Sequence, residues 1–215
     1  MSGFLKRDLS LQAVNAKFYL CFVLAFAGLA VFTDFAASFA SLYLVIFAGT
    51  SIMSLFSYDE ANHWEAYAAS APNGRRATVD ARYLLAALIG GVVFLFQLVL
   101  GLFERSNDPV YAPAYDPLTF LHTALLYAGA FLLYAAVILP ISYRFGGTKS
   151  RIVMIVVVAA FSALIAVGAT SLQVFSDGDP LAVLGRLPAL LPLLGAAALF
   201  ISHRISRHIM AKKEL

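Results

Sequence analysis

The stretch FSYDEANHWEAYAASAPNGRRATVDARYL (56–84) is the longest polar interruption in an otherwise apolar chain. Ser57 and Glu60 have the S-x-x-E spacing of a capping box, in which the hydroxyl and the carboxylate each satisfy a backbone N–H at the start of a helix. Pro72 and Gly74 are residues that commonly follow the end of a helix. The stretch therefore predicts a short amphipathic helix between two apolar regions.

The aromatic residues of this predicted helix have two interpretations. Ala61, Trp64 and Ala68 share one helical face, and Tyr67 lies beside them. A tryptophan on a short helix is typical of an anchor that fills a pocket on a partner protein. Tryptophan and tyrosine are equally typical of the aromatic belt at a membrane surface. The local pattern leaves both interpretations open.

Composition places the chain among membrane proteins. The 215 residues are 61% hydrophobic and only 13% charged, whereas soluble domains carry roughly 25% charged residues. Several apolar runs approach the about 20 residues that an α-helix needs to cross a bilayer. We therefore predict an all-α, polytopic membrane protein that forms a single transmembrane domain over 1–215. The single cysteine, Cys21, excludes a disulfide framework and a Cys/His metal site.

Hydropathy and length predict six transmembrane helices, with a tight turn near Asp34 between the first two. Residues 1–17 are predicted to form an amphipathic helix on the inner membrane surface, with Phe4, Leu5, Leu9 and Leu11 as its apolar face. A signal peptide is the alternative for this region, but the five later apolar segments favour a retained first span. The predicted spans are 18–34, 36–56, 83–104, 119–143, 152–174 and 187–206.

The distribution of positive charge predicts the orientation. With both termini in the cytoplasm, all but Arg105 and Arg186 of the 15 lysines and arginines lie on the inner side. The net charge of +3 therefore follows membrane topology and does not indicate nucleic-acid binding. The predicted outer loops, 106–118 and 176–180, are acidic and rich in proline. We predict a multi-pass protein of the cell membrane with segment 57–82 in the cytoplasm.

The predicted spans carry no Asp, Glu, Lys or Arg in their middle, whereas ion-coupled transporters normally need such groups. His122, near the outer end of the fourth span, is better explained by local hydrogen bonding than by proton transport. The stretch GGTKS (146–150) lacks the glycine that precedes the lysine of a Walker A loop. We therefore predict no catalytic residue, cofactor site or metal site in this chain, and any transport needs energy from another polypeptide.

Two stretches resemble the ABC-2 type permeases, specifically the short six-span members. The first is 56–84, where the family pattern reads approximately F-x-x-D-E-x-x-x-W-x-x-Y-x-x-S-L-P-V-x-R, followed by a basic residue and Y-L. Ala71, Asn73 and Gly74 depart from that pattern. The second stretch is LPISYRFGGTKSR (139–151), in which Pro140 is expected to kink the helix and Gly146 to permit a tight turn. The basic tail, SHRISRHIMAKKEL (202–215), is a weaker match.

The resemblance implies that two permease subunits, identical or closely related, meet in the membrane and that each docks one cytoplasmic ATPase. ATP and Mg²⁺ would then bind to the partner ATPase. Substrates of such exporters are amphipathic or hydrophobic, and peptides are typical. The helix between spans two and three would be the coupling helix that docks the ATPase. The residues that the resemblance assigns to docking are Asp59, Glu60, Trp64, Tyr67, Ser70, Pro72, Arg75 and Arg76.

Two alternatives remain at this point. A membrane anchor or sensor that only recruits a cytoplasmic partner would share the same docking helix. A membrane enzyme would need chemistry among His63, His122 and His203, which the predicted topology places on opposite faces of the membrane. Arg75, Arg76 and Arg82 also have a simpler explanation as topology determinants beside anionic lipid.

Overall fold

The computed structural model describes residues 2–30, 34–107, 117–175 and 187–213. These residues form a helical bundle in which no strand occurs within the described ranges, so the all-α prediction is confirmed. Its helices are α1 (Ser2–Ala30), α2 (Asp34–Ala61), α3 (Trp64–Ser70), α4 (Gly74–Asn107), α5 (Pro117–Phe175) and α6 (Leu187–Lys212).

The helices follow the predicted segments with two differences. α1 is one continuous helix that joins the predicted interfacial segment to the first span as far as Ala30, and α2 continues past the second span to Ala61. The predicted turn before Asp34 and most of both predicted outer loops lie outside the described residues. Among the described helices, the stretches Gly74–Leu100 and Leu121–Val153 are long and apolar enough to cross a membrane. The full six-span topology stays a prediction.

The predicted tight turn after the fourth span lies at Gly146. The backbone of Gly146 has φ 81° and ψ 174°, which interrupts the helical path inside α5. This left-handed φ favours glycine because a Cβ atom would clash with the backbone. Gly147 follows directly against α2, where an added Cβ would lie 2.6 Å from the backbone nitrogen of Ser57. The two glycines therefore allow the chain to turn and to pack closely on α2.

The apolar core lies among α2, α4, α5 and α6. Phe56 of α2 packs edge-on against Tyr143 of α5, with ring centroids 4.9 Å apart. Both rings are buried, and they stand beside the polar end of the bundle. The other fully buried large apolar side chains of this core include Val79, Val93, Phe131 and Leu139.

The small residues of α4 face in two directions. Ala86 and Gly90 are buried, and a Cβ added to Gly90 would meet Leu132 of α5 at 2.9 Å. Gly91 lies on the other side, where an added Cβ would have nothing within 4 Å. A stripe of exposed apolar side chains at helical spacing accompanies Gly91 and gives α4 an outward apolar face. Its members are Leu84, Leu88, Val92, Leu95 and Val99.

Candidate functional site

The polar stretch at one end of the bundle forms two sharp connections around a short helix. His63, with φ 49°, precedes α3, and Asn73, with φ 57°, precedes α4. Ala71 is extended between them, and its N–H donates to the carbonyl of Ala68. Gly74 does not end a helix, as its position after Pro72 suggested, but begins α4. Within the predicted cytoplasmic segment 57–82, we call residues 62–76 the coupling segment from here on, after the role that the family resemblance predicts for it.

The capping box predicted at Ser57 and Glu60 is wrong. Ser57 lies inside α2, where helical hydrogen bonding continues to Ala61, so no helix begins there. The Glu60 carboxylate instead accepts hydrogen bonds from the Thr148 backbone N–H at 3.1 Å and from its hydroxyl at 3.0 Å. Ser57 accepts a hydrogen bond from Arg151 at 3.0 Å. Glu60 therefore caps the part of α5 that follows Gly146, because that helix also begins with unpaired N–H groups.

The electrostatics of Glu60 agree with this capping role. The Thr148 N–H and hydroxyl both donate to the carboxylate, and these bonds hold the pKa of Glu60 below its ordinary value of 4.5. Donors to a carboxylate favour its charged form. The contact therefore joins the end of α2 to α5 most strongly when Glu60 is ionised.

The predicted helical face of Ala61, Trp64 and Ala68 is only partly correct, because Ala61 belongs to α2. Ala68 is fully buried, whereas Tyr67 is 67% exposed. Trp64 is half-buried against α1, with the Arg7 guanidinium 4.0 Å from its ring centroid. The Trp64 ring therefore packs on this chain's own N-terminal helix, and Tyr67 is the aromatic residue that faces outward.

A cluster of opposite charges lies beneath the coupling segment. Arg82 of α4 pairs with Asp59 of α2, and both side chains are 1% exposed. Arg7 of α1 lies 2.7 Å from the second oxygen of Asp59 and 3.2 Å from Asp8. Asp8 in turn faces Arg82 at 3.8 Å. We call Arg7, Asp8, Asp59 and Arg82 the charge cluster, which joins α1, α2 and α4.

Burial of the charge cluster makes its pairing important for stability. The Arg82 guanidinium lies 3.9 Å from the Phe56 ring centroid, an arrangement in which the aromatic face attracts the cation. Desolvation raises the pKa of Asp8 above its ordinary 3.8, although the nearby charge of Arg82 lowers it. A buried charge that loses its partner is costly, because no water replaces the lost interaction.

A second polar contact joins α4 to α6. Asp80 accepts hydrogen bonds from Arg207 at 2.8 and 2.6 Å, and its carboxylate lies 2.8 Å from the His203 ring nitrogen.

A hydroxyl contact lies nearby. The Ser202 hydroxyl donates to the backbone carbonyl of Ala136 in α5 at 2.6 Å. The Tyr83 hydroxyl lies 2.6 Å from the Ser202 oxygen. Because the Ser202 hydroxyl already donates its hydrogen to Ala136, Tyr83 is the donor of this bond.

The C-terminal end of α6 also contacts the coupling segment. Lys213 forms an ion pair with Glu65 of α3. Arg75, in the first turn of α4, donates a hydrogen bond to the backbone carbonyl of Ala211 at 3.2 Å. With Arg7 against Trp64 on the other side, residues near both ends of the chain hold the coupling segment in place.

The structure divides the predicted docking residues into two groups. Asp59 is buried, and Trp64 and Arg75 are half-buried and contact other parts of the chain. The exposed group comprises Glu60, Tyr67, Ser70, Pro72 and Arg76.

Sequence reasoning missed the roles of Arg7, Asp8 and Asp80. Leu9, predicted to lie on the membrane-facing apolar side of the N-terminal helix, is exposed, whereas the neighbouring Asp8 is buried in the bundle. The sequence feature that could have revealed these roles is the presence of acidic residues and arginines at the edges of apolar segments. Such charges need partners when the segments pack together.

The histidines do not form a shared site. His203 is engaged with Asp80, and His63 is exposed at the start of the coupling segment. Within the described ranges, no group of three His, Cys, Asp or Glu side chains lies close enough to hold a metal ion.

A helical bundle with exposed apolar faces and a polar, ion-paired end is the architecture expected of a membrane component. The chain belongs to the ABC-2 family, since the model of that family, described as ABC-2 family transporter protein, matches residues 3–211. It is therefore a permease of an ABC transporter, a membrane protein and not itself the ATPase. Comparisons with curated proteins and with solved structures gave no significant match.

Proposed function

We propose that this permease is the membrane subunit of an ATP-driven exporter and that its coupling segment docks a separate cytoplasmic ATPase. The observation that carries the proposal is the arrangement of α3. Trp64 is held by Arg7, and Glu65 is held by Lys213, while Tyr67 is left 67% exposed. Tyr67 packs on the Trp64 ring, with centroids 5.1 Å apart, and still presents most of its side chain outward. A short helix fixed on both sides, with an exposed and supported aromatic side chain, suits the transmission of movement from a partner.

The docking surface in this proposal consists of exposed residues of the coupling segment together with Glu60 at the end of α2. Tyr67 is its centre, because a large aromatic side chain contributes much of the energy of a typical interface. The buried and half-buried residues of the group support this surface from within the permease and do not contact the partner. They are Asp59, Trp64 and Arg75. The surrounding contact residues are Glu60, Ser70, Pro72 and Arg76.

The proposed orientation puts this surface in the cytoplasm, in a six-span protein of the cell membrane. Phe4 and Arg7 near the N-terminus, and Lys213 near the C-terminus, all lie beside α3. One side of the membrane would thus hold both termini and the coupling segment. The concentration of lysine and arginine in these segments favours the cytoplasmic side.

The export path is proposed to form between two permease subunits, most simply two copies of this chain. The outward face of α4, with Gly91 free of side-chain contacts, allows another helix to approach closely. The predicted spans lack central charges, which suits an amphipathic or hydrophobic substrate such as a peptide. ATP and Mg²⁺ would bind only to the ATPase.

A site-specific crosslink tests this proposal. The photoreactive residue p-benzoylphenylalanine in place of Tyr67 is expected to capture a polypeptide that contains a Walker A loop when native membranes are irradiated. The matched control carries the same residue in place of Phe200, an aromatic side chain of α6 that is exposed on an apolar surface. Capture of the ATPase at neither position, or equally at both, would contradict docking through α3.

Transport separates the exporter from a membrane anchor that only recruits a partner. The permease and the captured ATPase, reconstituted in proteoliposomes, should move a labelled hydrophobic peptide only when ATP is present. Docking without ATP-dependent transport of any tested amphipathic substrate would favour the anchor.

A further inference from the structure

Beside the coupling segment, an open cleft of about 350 Å³ lies between the start of α4 and the end of α6. Its walls include Ala71, Asn73, Arg75, Arg76, Arg207 and Ala211. We call it the arginine cleft. It adjoins the proposed docking surface and shares Arg76 with it, but Tyr67, the centre of that surface, does not line the cleft.

The arginine cleft has an excess of positive charge. None of its described lining residues is acidic. Arg207 uses its Nε and one terminal nitrogen on Asp80, which leaves the other terminal nitrogen for a ligand. Arg75 uses one terminal nitrogen on the Ala211 carbonyl, which brings no negative charge.

Arg76 is the least engaged member of the cleft. It is exposed, and it makes no hydrogen bond or ion pair with any residue in the described part of the chain. Three guanidinium groups around one cleft repel each other, and an anion between them would remove that repulsion. The cleft therefore has both the donors and the charge to bind an anion.

The chemistry of the donors selects the class of anion. A guanidinium group presents planar pairs of N–H donors that match the oxygens of a phosphate group, and several arginines together bind phosphate better than isolated lysines do. The cleft volume lies at the lower end of the about 300–1,000 Å³ found for small-molecule sites. It thus has space for a phosphate group with a small substituent.

The position of the cleft points to a phospholipid as the source of this phosphate. Ile205, an exposed apolar residue of α6, lies two residues before Arg207, which corresponds to about 3 Å along the helix axis. The exposed apolar stripe of α4 begins at Leu84, after the cleft residues Arg75 and Arg76. The headgroup layer of a bilayer lies immediately outside its hydrocarbon core.

We propose that the arginine cleft binds the phosphate group of an anionic phospholipid headgroup at the inner membrane surface. The bound lipid would connect α4 to α6 directly beside the coupling segment. This inference depends on the proposed placement in the membrane but not on docking of an ATPase, so it is tested on the isolated permease.

The test measures binding of short-chain phosphatidylglycerol to the purified full-length chain in an uncharged detergent. Short-chain diacylglycerol, which lacks the phosphate, and inorganic phosphate are the comparison ligands. The variants are Arg76→Gln and Arg207→Gln. The matched control is Arg204→Gln, which removes the same charge from an exposed position of α6 outside the cleft.

We expect each cleft variant to weaken phosphatidylglycerol binding by about tenfold, the effect of losing one charge-assisted hydrogen bond. Arg204→Gln should bind like the wild type, and diacylglycerol should not bind in the cleft. Arg207→Gln also breaks the ion pair with Asp80, so Arg76→Gln is the decisive variant.

Three results would overturn the proposal. Equal weakening in Arg76→Gln and Arg204→Gln would mean general attraction of lipid to a basic surface. Binding of inorganic phosphate as tight as that of the lipid, with the same dependence on Arg76, would identify free phosphate as the ligand. Unchanged lipid binding in both cleft variants would show that the lipid does not bind in the arginine cleft.

Discussion

Arg82 of α4 and Asp59 of α2 form an ion pair in which each side chain is only 1% exposed. The two residues lie on opposite sides of the coupling segment in the sequence, and their pairing closes that segment into a loop. Arg7 and Asp8 of α1 join the same cluster. The position of α3 is therefore tied to the N-terminal helix through buried charges.

The first prediction concerns this ion pair. Arg82→Met is expected to lower the free energy of unfolding by about 3–5 kcal/mol, because Asp59 would keep a buried charge with only Arg7 to balance it. The double variant Arg82→Met/Asp59→Leu should be less destabilised than the sum of the single variants. Thermal unfolding in detergent measures both.

Arg204→Met is the control for Arg82→Met, because Arg204 is exposed. Its effect should stay within about 0.5 kcal/mol. An Arg82→Met protein as stable as the wild type would contradict the structural role of the charge cluster.

The second prediction concerns the contact between Arg7 and Trp64, which is the only tryptophan of the chain. Intrinsic tryptophan fluorescence therefore reports on the surroundings of Trp64 alone, which include Arg7, Phe4 and Tyr67. Arg7→Gln removes the cation above the ring, so acrylamide should quench Trp64 more strongly and its emission should move to longer wavelength. Lys6→Gln, at an exposed neighbouring position, should leave both properties unchanged. Identical quenching in the two variants would argue against the contact.

The third prediction follows from the cap that Glu60 provides for α5. Glu60→Ala is expected to lower the unfolding free energy at neutral pH by up to about 1 kcal/mol, since the site is exposed. Because the pKa of Glu60 is lowered in the folded protein, its contribution is fully present above 4.5 and is lost as the pH falls through the folded-state value. Unfolding midpoints measured across this range should therefore converge for the two proteins at low pH. A difference that persists when Glu60 is fully protonated would refute the electrostatic explanation.

The fourth prediction compares two glycines. A Cβ at Gly147 would lie 2.6 Å from the Ser57 nitrogen, whereas at Gly91 it would have nothing within 4 Å. Gly147→Ala should therefore separate α5 from α2 and cost about 1–3 kcal/mol. Gly91→Ala should be neutral or stabilising, because alanine is the better helix former. Equal thermal stability of the two variants would show that the close approach at Gly147 is not needed.

The sequence was informative where the physics is local. The helices could be predicted from apolar runs bounded by polar residues. The break at Gly146 could be predicted because glycine readily adopts a positive φ. The resemblance in 56–84 correctly identified the family because that stretch combines several unusual residues at fixed spacing. The match of the family model over residues 3–211 confirms this identification.

The sequence was misleading where distant residues meet. Ser57 and Glu60 have the spacing of a capping box, but α2 continues through them and Glu60 caps a helix at Thr148. Asp59 and Arg82 lie in a polar stretch that indicates a surface, yet packing of α1 over this end buries them together. Local pattern alone does not specify which helix covers which charge.

Coupling between the permease and its partner ATPase is measured most directly as the ATP hydrolysis rate of that ATPase, reconstituted with this permease in proteoliposomes. Coupling through α3 predicts that Tyr67→Ala abolishes stimulation of hydrolysis by the permease, while Phe200→Ala, at a similarly exposed aromatic position on α6, retains it. Full stimulation by the Tyr67→Ala permease would contradict coupling through α3.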